Sequence, residues 1–446
     1  MYYLYICLCY NAAEIPRSIL KTALMLWRLY MFSNSSVKVD GPLKGIRVLD
    51  WTVWQFGPVS TAMMADMGAD VIKIESLDGD AGRGLWRASS LSMDLGEGRN
   101  AYFETTNRGK RGMAINFKTE EGREIVYKLV KDADVFVQNF RQGVAERLGM
   151  SYEKLSEINP LLVYGSANGY GPNGPDSHLP SFDGCGQARS GLMISASDPK
   201  AEYPTRVTQG ISDQIGAIML CQGVLAALVC KHLQGKGQKV ETSHLSANMW
   251  LQGMGMSMSL LNQGKDFRSY EREAPTNPLA NLYKGSDGRC IQMMHLQPDP
   301  YWEPMARALG LEHLIGDPKF SDMAARAENS AELVKHIDKV FATKTADEWD
   351  QAFRDCDIDF IYAKVQSVSE LENDPQVIAN NYIAEFEHPV LGSVKMCNHP
   401  NTYSETPAGI WREAPELGQH TEEILIDELG YDWDDIQKFQ EAGAIL

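Results

Sequence analysis

The chain has 446 residues, 44% apolar and 23% charged, an ordinary balance for a globular protein with room for two or three domains. Lys and Arg number 42 against 59 Asp and Glu, a net charge of −17; nucleic acid and a general membrane surface are therefore not expected as partners, and an anionic ligand needs a local basic patch. The eight cysteines and nine histidines are dispersed, with no C-x-x-C, zinc or H-E-x-x-H spacing, so they read as reduced thiols of a cytoplasmic protein without a metal site.

Residues 1–40 are of unusual composition and fit a secretory signal poorly. Its first apolar run carries no leading Lys or Arg, and Glu14-Ile15-Pro16 interrupts it before it spans a bilayer. It reads as an extension outside the core, the alternative being a short amphipathic helix over about 17–31 lying on a membrane or a partner. "GIRVLDWT" (45–52) predicts a buried strand, 57–68 a loop and helix, and "ADVIKIES" (69–76) a second strand. This βαβ unit opens an α/β domain. Helical spacing over 122–133, a strand over 134–140 and a strand running into a Gly-rich turn over 159–171 continue the alternation to about Cys230. The expected division is a large domain over 41–245, a linker helix over 246–264, a smaller α+β domain over 265–375, and a tail over 376–446 that returns to the large domain with two amphipathic helices.

In "TRVTQGISDQIGAIMLCQGVLAALVC" (205–230) one carboxylate, Asp213, precedes a run that is apolar almost all round. Ser212 or Asp213 fits the N-cap of a buried helix. Asp183, before "GCGQARSGL", fits another cap. The first βα turn holds Gly57-Pro58 in place of G-x-G-x-x-G, which removes the main support for a nicotinamide or flavin enzyme. Arg108, Lys110, Arg111 and Lys118 make one basic island, Arg141 and Arg147 a second. They fit a phosphorylated ligand or, equally, solvated charges at element ends. The Met-rich 248–261 fits core or the lining of an adaptable acyl pocket.

Seven blocks stand in order: "LKGIRVLDWTVWQFGP", "MGADVIKIES", "NRGKRGMAINFKTEEGRE", "DADVFVQNFRQGVAERLGMSYEKLSEINP", "GYGPNGP", "SFDGCGQARSGLM" and "LGQHTEEILIDELGY". Together they resemble the class III CoA-transferase (CaiB/BaiF) family, which includes formyl-CoA:oxalate, carnitine and aryl-lactate CoA-transferases. The resemblance implies an α/β fold, with a Rossmann-like large domain holding coenzyme A, a smaller domain, and two chains interlocked in a homodimer. Its substrates are an acyl-CoA and a carboxylic acid; it has no permanently bound cofactor and no metal. The family's nucleophilic aspartate falls on Asp213, and Asp183 becomes a supporting or gating carboxylate. The coenzyme-contacting positions fall on Gln55, Phe56, Ile115, Asn116, Phe117, Lys118, Asn139 and Arg147. Ser76 and Pro180 depart from an arginine and a lysine of some relatives, which removes one or two phosphate contacts.

The same superfamily contains α-methylacyl-CoA racemases, whose "GHD" histidine is replaced here in Ser181-Phe182-Asp183. Phenylalanine cannot move a proton, so transfer is favoured over racemisation. "EAPTNPLANLYKGSDG" lacks the glycine-rich loop of oxalate-type relatives and, with "TKTADEWDQAFRDCDI", resembles the branch acting on 2-hydroxy acids and aryl lactates. The expected acceptor is a bulky acid: an aryl-lactate, a 2-hydroxyalkanoate, carnitine or a bile acid. The alternatives are a racemase or isomerase of the same superfamily, or a non-catalytic CoA-binding protein.

Overall fold

The computed structural model describes residues 40–446; the expected N-terminal extension and its alternative amphipathic helix lie outside the described residues. Six parallel strands form the central sheet: β1 (Arg47–Trp51), β2 (Asp70–Glu75), β3 (Arg111–Ala114), β4 (Val135–Gln138), β5 (Val163–Asn168) and β6 (Gln238–Ser243). Their spatial order is β6-β5-β4-β1-β2-β3. Val48 of β1 stands opposite Val71 of β2 and Val135 of β4. The order of connection reverses between β1 and β4, and the crevice above the carboxyl ends of such a strand pair is where open α/β sheets bind ligands.

Along the chain, α1 (Phe56–Asp66), α2 (Ala101–Asn107), α3 (Glu120–Lys131), α4 (Tyr152–Ile158), α5 (Asp183–Arg189), α6 (Ile211–Gln234), α7 (His244–Leu251) and α8 (Gly253–Leu261) accompany these strands. Side chains alternate across each strand. Val48 and Val137 therefore join the apolar layer under α1 and α6, while Leu49 and Phe136 join the layer under α3 and α4. α3 shows why such a segment is helical: Thr119 accepts the Gly122 N–H, Glu120 and Glu121 occupy its first turn, and Lys128 and Lys131 its last, each complementing the helix dipole.

A three-stranded antiparallel sheet, β7 (Leu282–Lys284), β8 (Cys290–Met293) and β9 (Tyr362–Lys364), has an apolar cluster of its own around Tyr283, Ile337, Phe341 and Trp349. Beyond it the chain comes back to the central sheet. The Gly112 N–H donates to His420 Nδ1 at 3.0 Å, the Asn116 N–H to the Ala444 carbonyl at 2.8 Å, and Ile115 bridges Ile445.

Two expectations change. The single linker helix is two helices that meet at Gln252. The helix bearing Asp213 is not buried all round: Val229 and Leu233 near its end are exposed, because the described chain supplies apolar partners to only part of it.

Candidate active site

The site grows from the loop that follows β1. Asn139, just past β4, clamps this loop: its Oδ1 accepts the Val53 N–H at 2.8 Å and its Nδ2 donates to the Val53 carbonyl at 2.7 Å. Trp54 takes a φ of +65°, a left-handed conformation that bulky residues rarely adopt, and its N–H donates to Asp80 Oδ1 at 3.1 Å. Beneath the loop lies a buried charge chain. Lys73 Nζ donates to the Thr52 carbonyl at 2.6 Å and to Asp80 Oδ2 at 2.8 Å, while Lys110 Nζ donates to Asp50 Oδ2 at 2.7 Å. Burial alone raises a carboxyl, but Lys110 and Lys73 outweigh it and hold Asp50 below the usual carboxylate range; burial pulls Lys110 down to about 8.

Neither Ser212 nor Asp213 is the N-cap of α6. That position belongs to Gly210 at φ +75°, where a Cβ would come within 2.8 Å of the Gln55 amide. The orphan N–H of Ser212 is satisfied from another element, donating to Asp183 Oδ1 at 2.7 Å. Asp183 also accepts from Gln187 Nε2 at 2.9 Å, and it begins α5 while Phe182 holds the N-cap. It therefore caps α6 instead of its own helix.

Asp213 thus lies free of capping duty in the first turn of α6, its side chain 17% exposed. Its Oδ1 is 2.8 Å from His244 Nε2, and His244 Nδ1 is 3.2 Å from Ser181 Oγ. The His244 ring, 6% exposed, packs on Phe56 with ring centroids 4.8 Å apart. Gln55 Nε2 donates to the Gly210 carbonyl at 3.3 Å, which brings Gln55 beside the start of α6. Trp54 packs edge-on against Phe182 at 5.9 Å and against Tyr102 at 6.4 Å. Burial, with the charges of Asp213, Asp80 and Asp183 nearby, pushes the Tyr102 phenol above its ordinary value.

The expected coenzyme positions divide into two groups. Phe56, Ile115 and Phe117 are buried; Phe117 stacks on Trp51 at 4.7 Å, and Phe140 meets the same indole at 4.3 Å. Trp51 therefore draws the loops after β3 and β4 together at the end of β1. Asn116 Nδ2 donates to the Gly443 carbonyl at 2.9 Å, and the Asn139 amide serves the loop. Lys118 and Arg147 are exposed, with side chains unpaired among the described residues.

The basic island is smaller than the sequence implies. Arg108 pairs with Asp66, Lys110 is buried on Asp50, and Arg111 pairs with Asp70 and Glu428, so three of its four cations neutralise internal carboxylates. Among the described residues, no group of three or more His, Cys, Asp or Glu side chains is placed to hold a metal ion. Sequence reasoning missed His244, Ser181 as its partner, and Tyr102. One signal for His244 was its position directly after a strand and at the start of an apolar helix, with Ser243 forming a capping box with Ser246.

With this geometry in view, the relatives are informative. An (R)-2-hydroxy-4-methylpentanoate CoA-transferase of Clostridioides difficile is 30% identical over 404 residues, 90% of this chain and 99% of the relative. A cinnamoyl-CoA:phenyllactate CoA-transferase of Clostridium sporogenes is 30% identical over 406 residues, 90% of this chain and 97% of the relative. The crystal structure of a CaiB/BaiF family protein from Brucella suis superposes with a TM-score of 0.75 at 27% identity, covering 87% of this chain and 99% of that one. The parallel sheet and its helices match that architecture. The sequence pattern of CoA-transferase family III matches residues 43–421, and the chain belongs to that family.

Proposed function

We propose that this CoA-transferase uses Asp213 as its nucleophile and passes CoA from an acyl-CoA to a 2-hydroxy acid with a bulky or aromatic side chain. The observation that carries the mechanism is the lone carboxylate in the first turn of α6, without a capping role, held through one oxygen by His244. Asp213 attacks the thioester carbonyl and expels CoA thiolate, giving a mixed anhydride; the thiolate then attacks the aspartyl carbonyl, releasing the donor acid and leaving an aspartyl-CoA thioester. An acceptor carboxylate reverses the two steps. One thioester replaces another, so the exchange is nearly neutral and the protein's task is to exclude water and orient the reactants.

Support for the acid class is the aromatic trio formed by Trp54 with Tyr102 and Phe182, its Tyr102 close enough to Asp213 to feel its charge, together with relatives named for a branched and an aromatic 2-hydroxy acid. Lys118 and Arg147 take the CoA phosphates in this reading. Racemisation is disfavoured: the superfamily's histidine position holds Phe182, and His244 bonds Asp213 directly, leaving no space for a substrate α-carbon between them.

The reading includes a Rossmann-like large domain over 41–245, a smaller domain over 265–375, an interlocked homodimer and a cytoplasmic location. Trp250, Met254 and Leu261, 72%, 76% and 85% exposed along α7 and α8, support burial against a second copy. α6 is long and apolar enough to cross a membrane, but its first turn carries Asp213 and its apolar side packs on α1 and the sheet, which favours a core and interface helix.

The test is mass spectrometry of the protein, intact and then digested, after mixing with acyl-CoAs and no acceptor. A CoA-sized adduct on the Asp213 peptide, lost in Asp213→Asn while CoA still binds, is the expected result. An adduct that persists in this variant overturns the assignment. Turnover with 4-methyl-2-hydroxypentanoate and phenyllactate but not oxalate is expected; the reverse preference overturns the acid class.

A further inference from the structure

We infer that His244 is the oxyanion donor for every attack on the aspartyl carbonyl, and that it assigns the two oxygens of Asp213 to different tasks. The inference rests on Asp213 being the nucleophile. An ionised carboxylate only accepts hydrogen bonds, so the 2.8 Å contact has His244 Nε2–H donating to Oδ1. Among the described residues, Oδ2 has no hydrogen-bond partner and is the oxygen free to attack.

The imidazole is fixed from several directions. Ser181 Oγ meets Nδ1 at 3.2 Å, the Phe56 ring packs on its face, and a Cβ on Gly186 would stand 2.8 Å from the His244 Cβ. At its own backbone, the Ser243 hydroxyl accepts the Ser246 N–H at 3.0 Å and the Ser246 hydroxyl accepts the Ser243 N–H at 3.1 Å. A donor held this firmly needs no rearrangement when charge develops beside it.

The atoms follow. Oδ2 bonds to the acyl carbon and the carbon–sulfur bond breaks, expelling CoA thiolate. The thiolate attacks Cγ of Asp213, and the bond from Cγ to Oδ2 breaks, so the donor acid departs with Oδ2. In this step the negative charge develops on Oδ1, the atom facing His244. The acceptor carboxylate then attacks Cγ, again placing charge on Oδ1, and expels the thiolate. Finally the thiolate attacks the acceptor's carbonyl carbon and the bond from that carbon to the bridging oxygen breaks. Asp213 is left with Oδ1 and one oxygen from the acceptor. Each turnover therefore exchanges Oδ2 and retains Oδ1.

The experiment is many turnovers with unlabelled acyl-CoA and excess acceptor carrying oxygen-18 in both carboxylate positions, followed by mass measurement of the Asp213 peptide. Wild type is expected to hold one heavy oxygen however long it turns over. His244→Ala is expected to lose about a hundredfold or more in kcat, the usual scale for an oxyanion donor, and over a longer incubation to acquire two, because an unheld carboxylate turns over between cycles. His244→Gln, whose amide N–H reaches toward the same oxygen, is expected to return to one. Two heavy oxygens in wild type, or one in His244→Ala, overturn the inference while leaving Asp213 as nucleophile. A wild-type peptide without label overturns the nucleophile itself and the inference with it. The wild-type count is decisive even if His244→Ala does not fold.

Discussion

Asp183 Oδ1 accepts the backbone N–H of Ser212 at 2.7 Å, so the carboxylate that starts α5 fixes the first turn of the helix carrying Asp213. Asp183→Ala leaves a buried N–H without a partner and is expected to cost about 1–3 kcal/mol. Asp183→Asn keeps an acceptor for Ser212 but loses the one serving Gln187, and a smaller loss is expected. Urea midpoints of the two variants measure the difference, and equal midpoints contradict it.

The pair Lys110–Asp50 is buried on both sides. Lys110→Met strands the Asp50 carboxylate beneath the Thr52 loop and is expected to destabilise the protein by about 3–5 kcal/mol. The double variant Asp50→Asn with Lys110→Met removes both charges and is expected to be more stable than Lys110→Met alone. A thermal denaturation cycle checks this, strict additivity being the contrary outcome.

His420 gives a pH prediction. Burial, with Arg412 and Arg111 nearby, holds its imidazole at about 3 against 6.5 ordinarily. Between those values the unfolded chain takes up a proton that the native site refuses, so acid favours unfolding. The stabilisation is complete above pH 6.5 and falls as pH drops toward 3, by up to about 1.4 kcal/mol per pH unit. His420→Asn retains an acceptor for Gly112 but does not titrate. Its Tm is expected to fall less steeply than that of wild type between pH 6 and 4, and parallel curves contradict the assignment.

Phe182, 59% exposed against Trp54, occupies the histidine position of the racemases. Phe182→His alone is not expected to create racemase activity, because the opposing acid must stand across the α-carbon within about 3 Å of its proton. Deuterium uptake from solvent at the α-carbon, followed by NMR, tests both proteins. Wild type is expected to show none, and rapid exchange in the variant contradicts an architecture without an opposing acid across the α-carbon.

The opening βαβ unit was legible because apolar alternation and a single helical run are local signals: the expected strands at 45–52 and 69–76 became Arg47–Trp51 and Asp70–Glu75. The basic island was misread for the opposite reason. Lys110 meets Asp50 from 60 positions away and Arg111 meets Glu428 from 317, separations at which no local pattern shows which cation has a partner. His244 escaped notice in the same way, since the contact with Asp213 spans 31 residues. The cap on α6 comes from Asp183, 29 residues upstream of Ser212, outside the few residues at a helix start in which a cap is legible.

The return of the C-terminal segment to β3 has a consequence for biosynthesis. β3 is one of the two outer strands of the sheet, and Gly112, Ala114 and Asn116 all donate their N–H groups to partners at 420, 421 and 444. On the ribosome, all six strands are made before residue 244, so the sheet emerges with its β3 edge lacking the far later segment that covers it. Nascent chains stalled before residue 420 carry that edge open to other chains, and clearance by chaperones or proteases should concentrate on them.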